Sequence, residues 1–131
     1  MVRISLLFSL LLTACGGAPP DPTDMIWDPP LDDDTSATID LGVVQQGEMV
    51  TATINGSNPT EADITLRLSC NFENGGFLVP GCPEEITVEP GDEMMPIRAN
   101  LSSNLSGQYS GNFQFIYNDK IATFVVQGVI Q

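Results

Sequence analysis

From Ala37 onward, apolar and polar residues alternate with a period of two. "TIDLGVV" sets Ile39, Leu41 and Val43 on one face, and "EMVTATIN" does the same for Val50, Ala52 and Ile54. "ITLRLSC" sets Ile64, Leu66 and Leu68 against Thr65 and Arg67. Successive side chains of a strand point to opposite faces, so each stretch reads as a strand with one buried and one wet side. Further strands are predicted at 77–79, 85–89, 94–101, 109–117 and 121–130. Gln45-Gln46-Gly47, "NPTEAD", "EPGDE", "SSNLSG" and "YNDK" punctuate them as turns. About seven or eight short strands without an intervening amphipathic helix predict an all-β, antiparallel β-sandwich over residues 37–131. Tyr109, Phe113, Phe115 and Tyr117 alternate and are expected in the core, whereas "IATFVVQGVI" is apolar on both faces and leaves its inward side open. Gly47, Gly91, Gly107 and Gly111 are expected to serve turns or close packing.

The chain before this domain has a different texture. Residues 4–12, "ISLLFSLLL", form an apolar run behind Arg3, far short of the about twenty residues that span a bilayer. A positive start and a short apolar run read as a signal peptide, residues 1–14. Residues 15–36 then carry Pro19, Pro20, Pro22, Pro29 and Pro30 among Asp21, Asp24, Asp28 and the run Asp32-Asp33-Asp34. Proline and like charge extend a chain and prevent core formation, so this segment is expected to be a disordered tether. Trp27, the only tryptophan, interrupts it within "DMIWDPP" and is a candidate for docking on the domain or on a partner. The "DDD" run lacks the spaced ligands, central glycine and closing glutamate of an EF-hand loop, so no metal site is expected there.

Charge narrows the chemistry. Four Lys and Arg stand against seventeen Asp and Glu, a net charge of −13, and histidine is absent. Nucleic-acid binding rests on basic side chains displacing phosphate counterions, so no nucleic-acid partner is expected. Without histidine the chain lacks the commonest metal ligand and the best proton carrier near neutral pH. Ser-His-Asp and Cys-His hydrolysis and His-ligated zinc are thereby excluded. Glu84, Glu85, Glu89, Asp92 and Glu93 are expected to form a solvated edge rather than a catalytic carboxylate pair, which needs a cleft holding two of them about 5–9.5 Å apart.

Leu12-Thr13-Ala14-Cys15, placed directly after the apolar run, resembles the bacterial lipobox: an aliphatic residue, two small residues, then cysteine. The resemblance implies cleavage before Cys15 and a lipid on its sulfur, with the bilayer as a partner through acylated Cys15. Two or more acyl chains anchor stably where one holds only marginally. Gly16, where an aspartate would signal inner-membrane retention in many diderm bacteria, implies the outer membrane. Loss of Arg3 with the signal leaves three basic against seventeen acidic residues, a mature charge of −14. With Cys15 lipidated, Cys70 and Cys82 remain, and a structural disulfide between them is expected in an oxidising compartment. A loop of that size contributes about 3 kcal/mol in the chain-entropy model.

"IDLGVVQQGEMVTATINGSNPTEADITL", "ITVEPGDEMMPIRANL", "GQYSGNFQFIYND" and "VVQGVI", in this order, resemble the abnormal-spindle/Hydin (ASH) type of immunoglobulin-like domain. The resemblance spans residues 37–131. "NPT" stands where that family usually has an Asn-x-Gly turn, and Cys70 and Cys82 fall in an expanded loop. The family shares no catalytic residues, so the resemblance implies no enzyme and no cofactor. The expectation is a non-enzymatic envelope lipoprotein acting as a structural or protein-interaction module, with another envelope protein as partner. Edge-strand addition at "FLV" or the 70–82 loop is its most economical contact. A calcium- or carbohydrate-binding surface module is the alternative.

Overall fold

The computed structural model describes residues 24–72, 75–79, 82 and 85–131. The signal peptide, Cys15 and the tether as far as residue 23 lie outside them, as does Glu84. Among the described residues there are nine strands and no helix. These are β1 Ile26–Asp28, β2 Ser36–Val44, β3 Val50–Ser57, β4 Ile64–Phe72, β5 Phe77–Leu78, β6 Glu85–Val88, β7 Ile97–Leu101, β8 Gly107–Tyr117 and β9 Lys120–Ile130.

They form two layers. One sheet runs β1-β3-β7-β5 and the other β2-β9-β8-β4-β6, an immunoglobulin-like sandwich. The alternation read from the sequence decides which side faces in: Ala52 and Ile54, Ile64, Leu66 and Leu68, and Phe113 and Phe115 are all buried between the layers. The ambiguous last strand turns Ala122, Phe124, Val126 and Ile130 inward. Full burial of each large apolar side chain contributes about 1.5–3 kcal/mol, so the two-residue period is what drives the layers together.

Three departures from the sequence reading have local causes. First, the domain does not begin at Ala37. β1 pairs antiparallel with β3, with Trp27 opposite Gly56, so residues 24–36 belong to the sandwich rather than to a disordered tether. Met25 and Trp27 are buried, while Ile26 and Asp28 face out: two apolar side chains at strand period outweigh the surrounding prolines and aspartates. The chain crosses between the sheets at 29–35, where Asp33 accepts from the Thr35 hydroxyl (2.7 Å) and amide (3.1 Å) and the Ser36 amide (2.9 Å). Those bonds hold the exposed Asp33 carboxyl below its usual range, the Thr35 hydroxyl contributing most.

Second, β2 pairs with β9 in parallel, so the sandwich is not wholly antiparallel. Having paired with β3 in one sheet, the chain crosses over and joins the edge of the other with its direction unchanged.

Third, β2 changes parity. Its register slips between Asp40 and Val43, and Gly42 adopts φ 72° with its amide donating to Asp40 Oδ1 at 2.8 Å. This bulge turns Val43 outward, at 59% exposure, and buries Val44 in its place.

The turns follow their residues. Asn118 (φ 47°) and Asp119 (φ 60°) form the two-residue β8–β9 hairpin, both left-handed as a type I′ turn requires. Met94 is buried but precedes β7, which starts only after Pro96, a residue with no amide to donate. Gly111 serves packing: a Cβ there would lie 2.0 Å from the Phe72 ring. Cys70 and Cys82 are disulfide-bonded, with Cα atoms 6.6 Å apart, tying β4 to the segment between β5 and β6.

Candidate functional site

The two ends of the sandwich differ in chemistry. One end, the entry pole, is where the described chain begins. It consists of Asp24, the β3–β4 loop, the β6–β7 loop and the β8–β9 hairpin. Asn58, fully buried, ties these loops together. Its Nδ2 donates to the Val88 and Ala62 carbonyls (2.8 Å each), and its Oδ1 accepts from the Thr60 amide (2.9 Å) and hydroxyl (2.6 Å). Its backbone accepts from the Gly91 amide (2.7 Å) and donates to the Asp92 carbonyl (2.9 Å). Every polar group of this buried side chain is satisfied, which is the condition for keeping it in a core. "NPT" thus builds a turn that serves two loops at once.

The same pole holds the N-terminal segment. Trp27 packs on Phe115 (ring centroids 4.8 Å apart) and Phe124 (5.3 Å), and its Nε1 donates to the Tyr117 hydroxyl at 3.3 Å. The Tyr117 hydroxyl donates to Asp24 Oδ1, and Lys120 Nζ donates to Asp24 Oδ2 at 2.9 Å. Partial burial pushes the Asp24 carboxyl up, but the bonds from Tyr117, Lys120 and the Met25 amide outweigh it and hold the carboxyl below its usual range. Burial, reinforced by the Asp24 carboxylate, pushes the Tyr117 phenol well above its ordinary value. Trp27 is only 6% exposed, so it is a core residue and not a partner-docking one.

Acid crowds this pole. Asp24, the aspartates at 32–34, Glu61, Asp63, Glu89, Asp92, Glu93 and Asp119 lie on or beside its loops, and Lys120 is spent on Asp24. Glu85, Glu89, Asp92 and Glu93 are exposed, as expected of a solvated edge. Among the described residues no group of three or more His, Cys, Asp or Glu side chains is arranged to hold a metal ion.

The opposite, distal pole is built from residues 45–49, 75–79 and 102–106. Backbone bonds knit them: the Gln46 amide donates to Gln131 O (3.1 Å), Gly47 to Ser103 O (3.1 Å) and Ser102 to Gly76 O (3.0 Å). Beneath lies a small separate core of Val44, Leu101, Tyr109 and Ile130. The Tyr109 hydroxyl donates to the Leu105 carbonyl at 2.8 Å and lies 3.0 Å from Ser103 Oγ, which accepts from the Leu105 amide (3.0 Å). On these segments Met49, Leu78 and Leu105 stand 63%, 66% and 73% exposed. Glu48 is the one carboxylate on those three segments among the described residues. Of the "FLV" surface, Phe77 and Leu78 form the edge strand β5, with Phe77 half-buried against the core and Leu78 outward. The sequence reading named "FLV" of this pole but not Met49 or Leu105, because isolated apolar residues in turns break no alternation.

No family model matches the chain, and no curated protein matches it. Solved structures do. The chain is similar to an ASH/PapD-like domain of human CEP192 (PapD-like domain 7), with a TM-score of 0.55 and 13% identity over 90% of this chain and 92% of that one. It is also similar to a protein of unknown function from Porphyromonas gingivalis W83 (TM-score 0.53, 18% identity), covering 94% of this chain and 54% of that one. A family 123 glycoside hydrolase from Clostridium perfringens matches 72% of this chain with a TM-score of 0.53 and 14% identity, but over only 23% of its own length. At these identities the likeness defines the fold alone: an immunoglobulin-like sandwich.

Proposed function

We infer that this protein is a lipid-anchored bacterial envelope protein whose sandwich is a non-enzymatic structural or protein-interaction module. The observation that carries the reading is Leu12-Thr13-Ala14-Cys15 directly behind a short apolar run. The lipid would sit on Cys15, and Gly16 after it favours the outer membrane. Eight residues lie between Cys15 and Asp24, the first described residue, a span of at most about 30 Å when extended. The interaction role draws support from the likeness to an ASH/PapD-like domain and from two poles whose described residues differ in chemistry. The absence of histidine argues against the common hydrolytic machineries.

Metabolic labelling with an alkyne fatty acid tests the anchor. Wild type is expected to carry label and to fractionate with membranes, and Cys15→Ala to lose both. Equal labelling of the two would refute it. A calcium- or carbohydrate-binding module remains the second reading, favoured by the acidic entry pole. A calcium-dependent rise in melting temperature, or a glycan-array signal, would turn the assignment toward it.

A further inference from the structure

We propose that a groove on the outward face of the β2–β9–β8 sheet, lined by Asp40, Gln108, Ser110, Gln127 and Val129, binds an uncharged hexose or N-acetylhexosamine unit of a glycan. The proposal rests on the carbohydrate reading above and names its site, which lies away from the acidic entry pole.

Strand register assembles the groove from three segments distant in sequence. Ser110 stands opposite Gln127, and Gln127 opposite Asp40, so one row of side chains crosses three strands. In the next row on the same face, Gln108 stands opposite Val129, and Val129 opposite Val43. Neighbouring strands lie about 4.8 Å apart, and side chains two residues apart share a face, so these positions form one continuous patch. Asp40, Gln108, Ser110 and Gln127 are all exposed. The groove has a volume of about 390 Å³, within the range of about 300–1,000 Å³ found for small-molecule sites.

The β2 bulge shapes this face. A regular strand would turn Val43 to the same side as Ile39 and Leu41, which pack on the core. The register slip instead brings Val43 outward beside Val129, at 59% exposure. Within the bulge the Gly42 amide donates to Asp40 Oδ1 at 2.8 Å, which fixes the carboxylate at the edge of the groove. Bulges recur beside binding and catalytic sites because they re-aim a side chain in this way.

The lining selects the ligand class. Gln108 and Gln127 each donate and accept hydrogen bonds, Ser110 does both, and the Asp40 carboxylate only accepts. A sugar carries hydroxyls that donate and accept on neighbouring carbons, and its C–H face matches the Val43–Val129 pair. An anion would meet the Asp40 carboxylate and no lysine or arginine along the groove. Calcium, which takes about six to eight oxygen ligands, would find a single carboxylate. An acyl chain would leave the two amides and the hydroxyl without partners. An extended peptide would pair with the open backbone edge of β2 rather than with side chains on its face. An uncharged sugar satisfies every polar group in the lining.

The test uses the purified full-length chain, isotope-labelled on nitrogen, and follows its glutamine side-chain amides by NMR. The probes are uncharged hexasaccharides of glucose, mannose, galactose and N-acetylglucosamine, with an oligogalacturonate as the anionic comparison. Expected is a saturable shift of the Gln108 and Gln127 amides with at least one uncharged probe and none with the anionic one. Gln114, on the same face but outside the groove, should stay unmoved. Gln127→Ala, read on the Gln108 amide, should weaken binding about threefold to tenfold, the equivalent of one neutral hydrogen bond. A melting curve checks that this exposed substitution leaves the fold intact. No shift with any uncharged probe would refute the site and the carbohydrate reading together. Shifts confined to residues outside the groove, or binding unchanged by Gln127→Ala, would refute the site and leave the carbohydrate reading standing. An equal or stronger response to the oligogalacturonate would overturn the ligand class.

Discussion

Trp27 Nε1 donates to the Tyr117 hydroxyl at 3.3 Å, joining residues ninety positions apart. That bond, with the Asp24–Tyr117 and Asp24–Lys120 contacts behind it, fastens the first described segment to the β8–β9 hairpin. Any force arriving through the N-terminal segment therefore meets the core directly.

Trp27→Ala is expected to destabilise the fold by about 3–5 kcal/mol, the range for emptying a large aromatic site. Trp27→Phe should cost much less, since it keeps most of the packing on Phe115 and Phe124 and gives up only the hydrogen bond. A chain starting at Ala37 should behave like Trp27→Ala or worse, because it also lacks Met25 and the β1–β3 pairing. Urea denaturation followed by circular dichroism ranks the variants, and wild-type stability in the chain starting at Ala37 would disprove the role of β1.

The same network makes stability depend on pH at both extremes. The folded Asp24 carboxyl titrates below its usual value, so its contribution is present above the unfolded value of about 4 and is lost as pH falls through the folded one. Because its side chain is 38% exposed, solvent screening limits that contribution to about 1 kcal/mol or less. Tyr117 has the opposite sign. Its folded value is raised, so its contribution holds below the unfolded value of about 10 and drains away as pH rises beyond it. Melting temperature should fall modestly below pH 4 and again above pH 10. Asp24→Asn should flatten the acid arm, and an acid arm unchanged by that substitution would disconnect Asp24 from it.

Asn58→Ala should cost about 1–3 kcal/mol, the penalty for leaving the Val88 carbonyl buried and unpaired. Asn58→Asp keeps the acceptor for Thr60 but turns an oxygen toward the Val88 and Ala62 carbonyls. It should be the more damaging of the two at neutral pH and recover in part as acid protonates the new carboxyl. Thermal melts at pH 7 and pH 5 provide the comparison. The reverse order at neutral pH would show that the carbonyl bonds matter less than the Thr60 turn.

The legible parts of this protein were periodic. Period-two alternation located eight of the nine strands, because burial between two layers rewards every second residue. The aromatic series at Tyr109, Phe113, Phe115 and Tyr117 lies in the core for the same reason. The expected pairing of Cys70 with Cys82 is present as well. Val43 was misassigned because a bulge is one residue wide and alternation cannot register it in advance; Gly42 and Asp40 were its only local trace. Trp27 carried a signal, an isolated aromatic in acidic sequence, but not its destination.

Composition and periodicity therefore determined eight of the described strands and the chemistry that histidine's absence excludes, while the Cys70–Cys82 expectation came from the lipobox resemblance that sets Cys15 aside. The strands and the excluded chemistry are local properties, set by side-chain period and residue type. Tertiary structure alone decided that residues 24–36 join the fold and that β2 runs parallel to β9. It alone also gathered the acids at one pole and Met49, Leu78 and Leu105 at the other. Each depends on contacts between positions tens of residues apart, where the energy lies in the pairing and neither segment carries it alone.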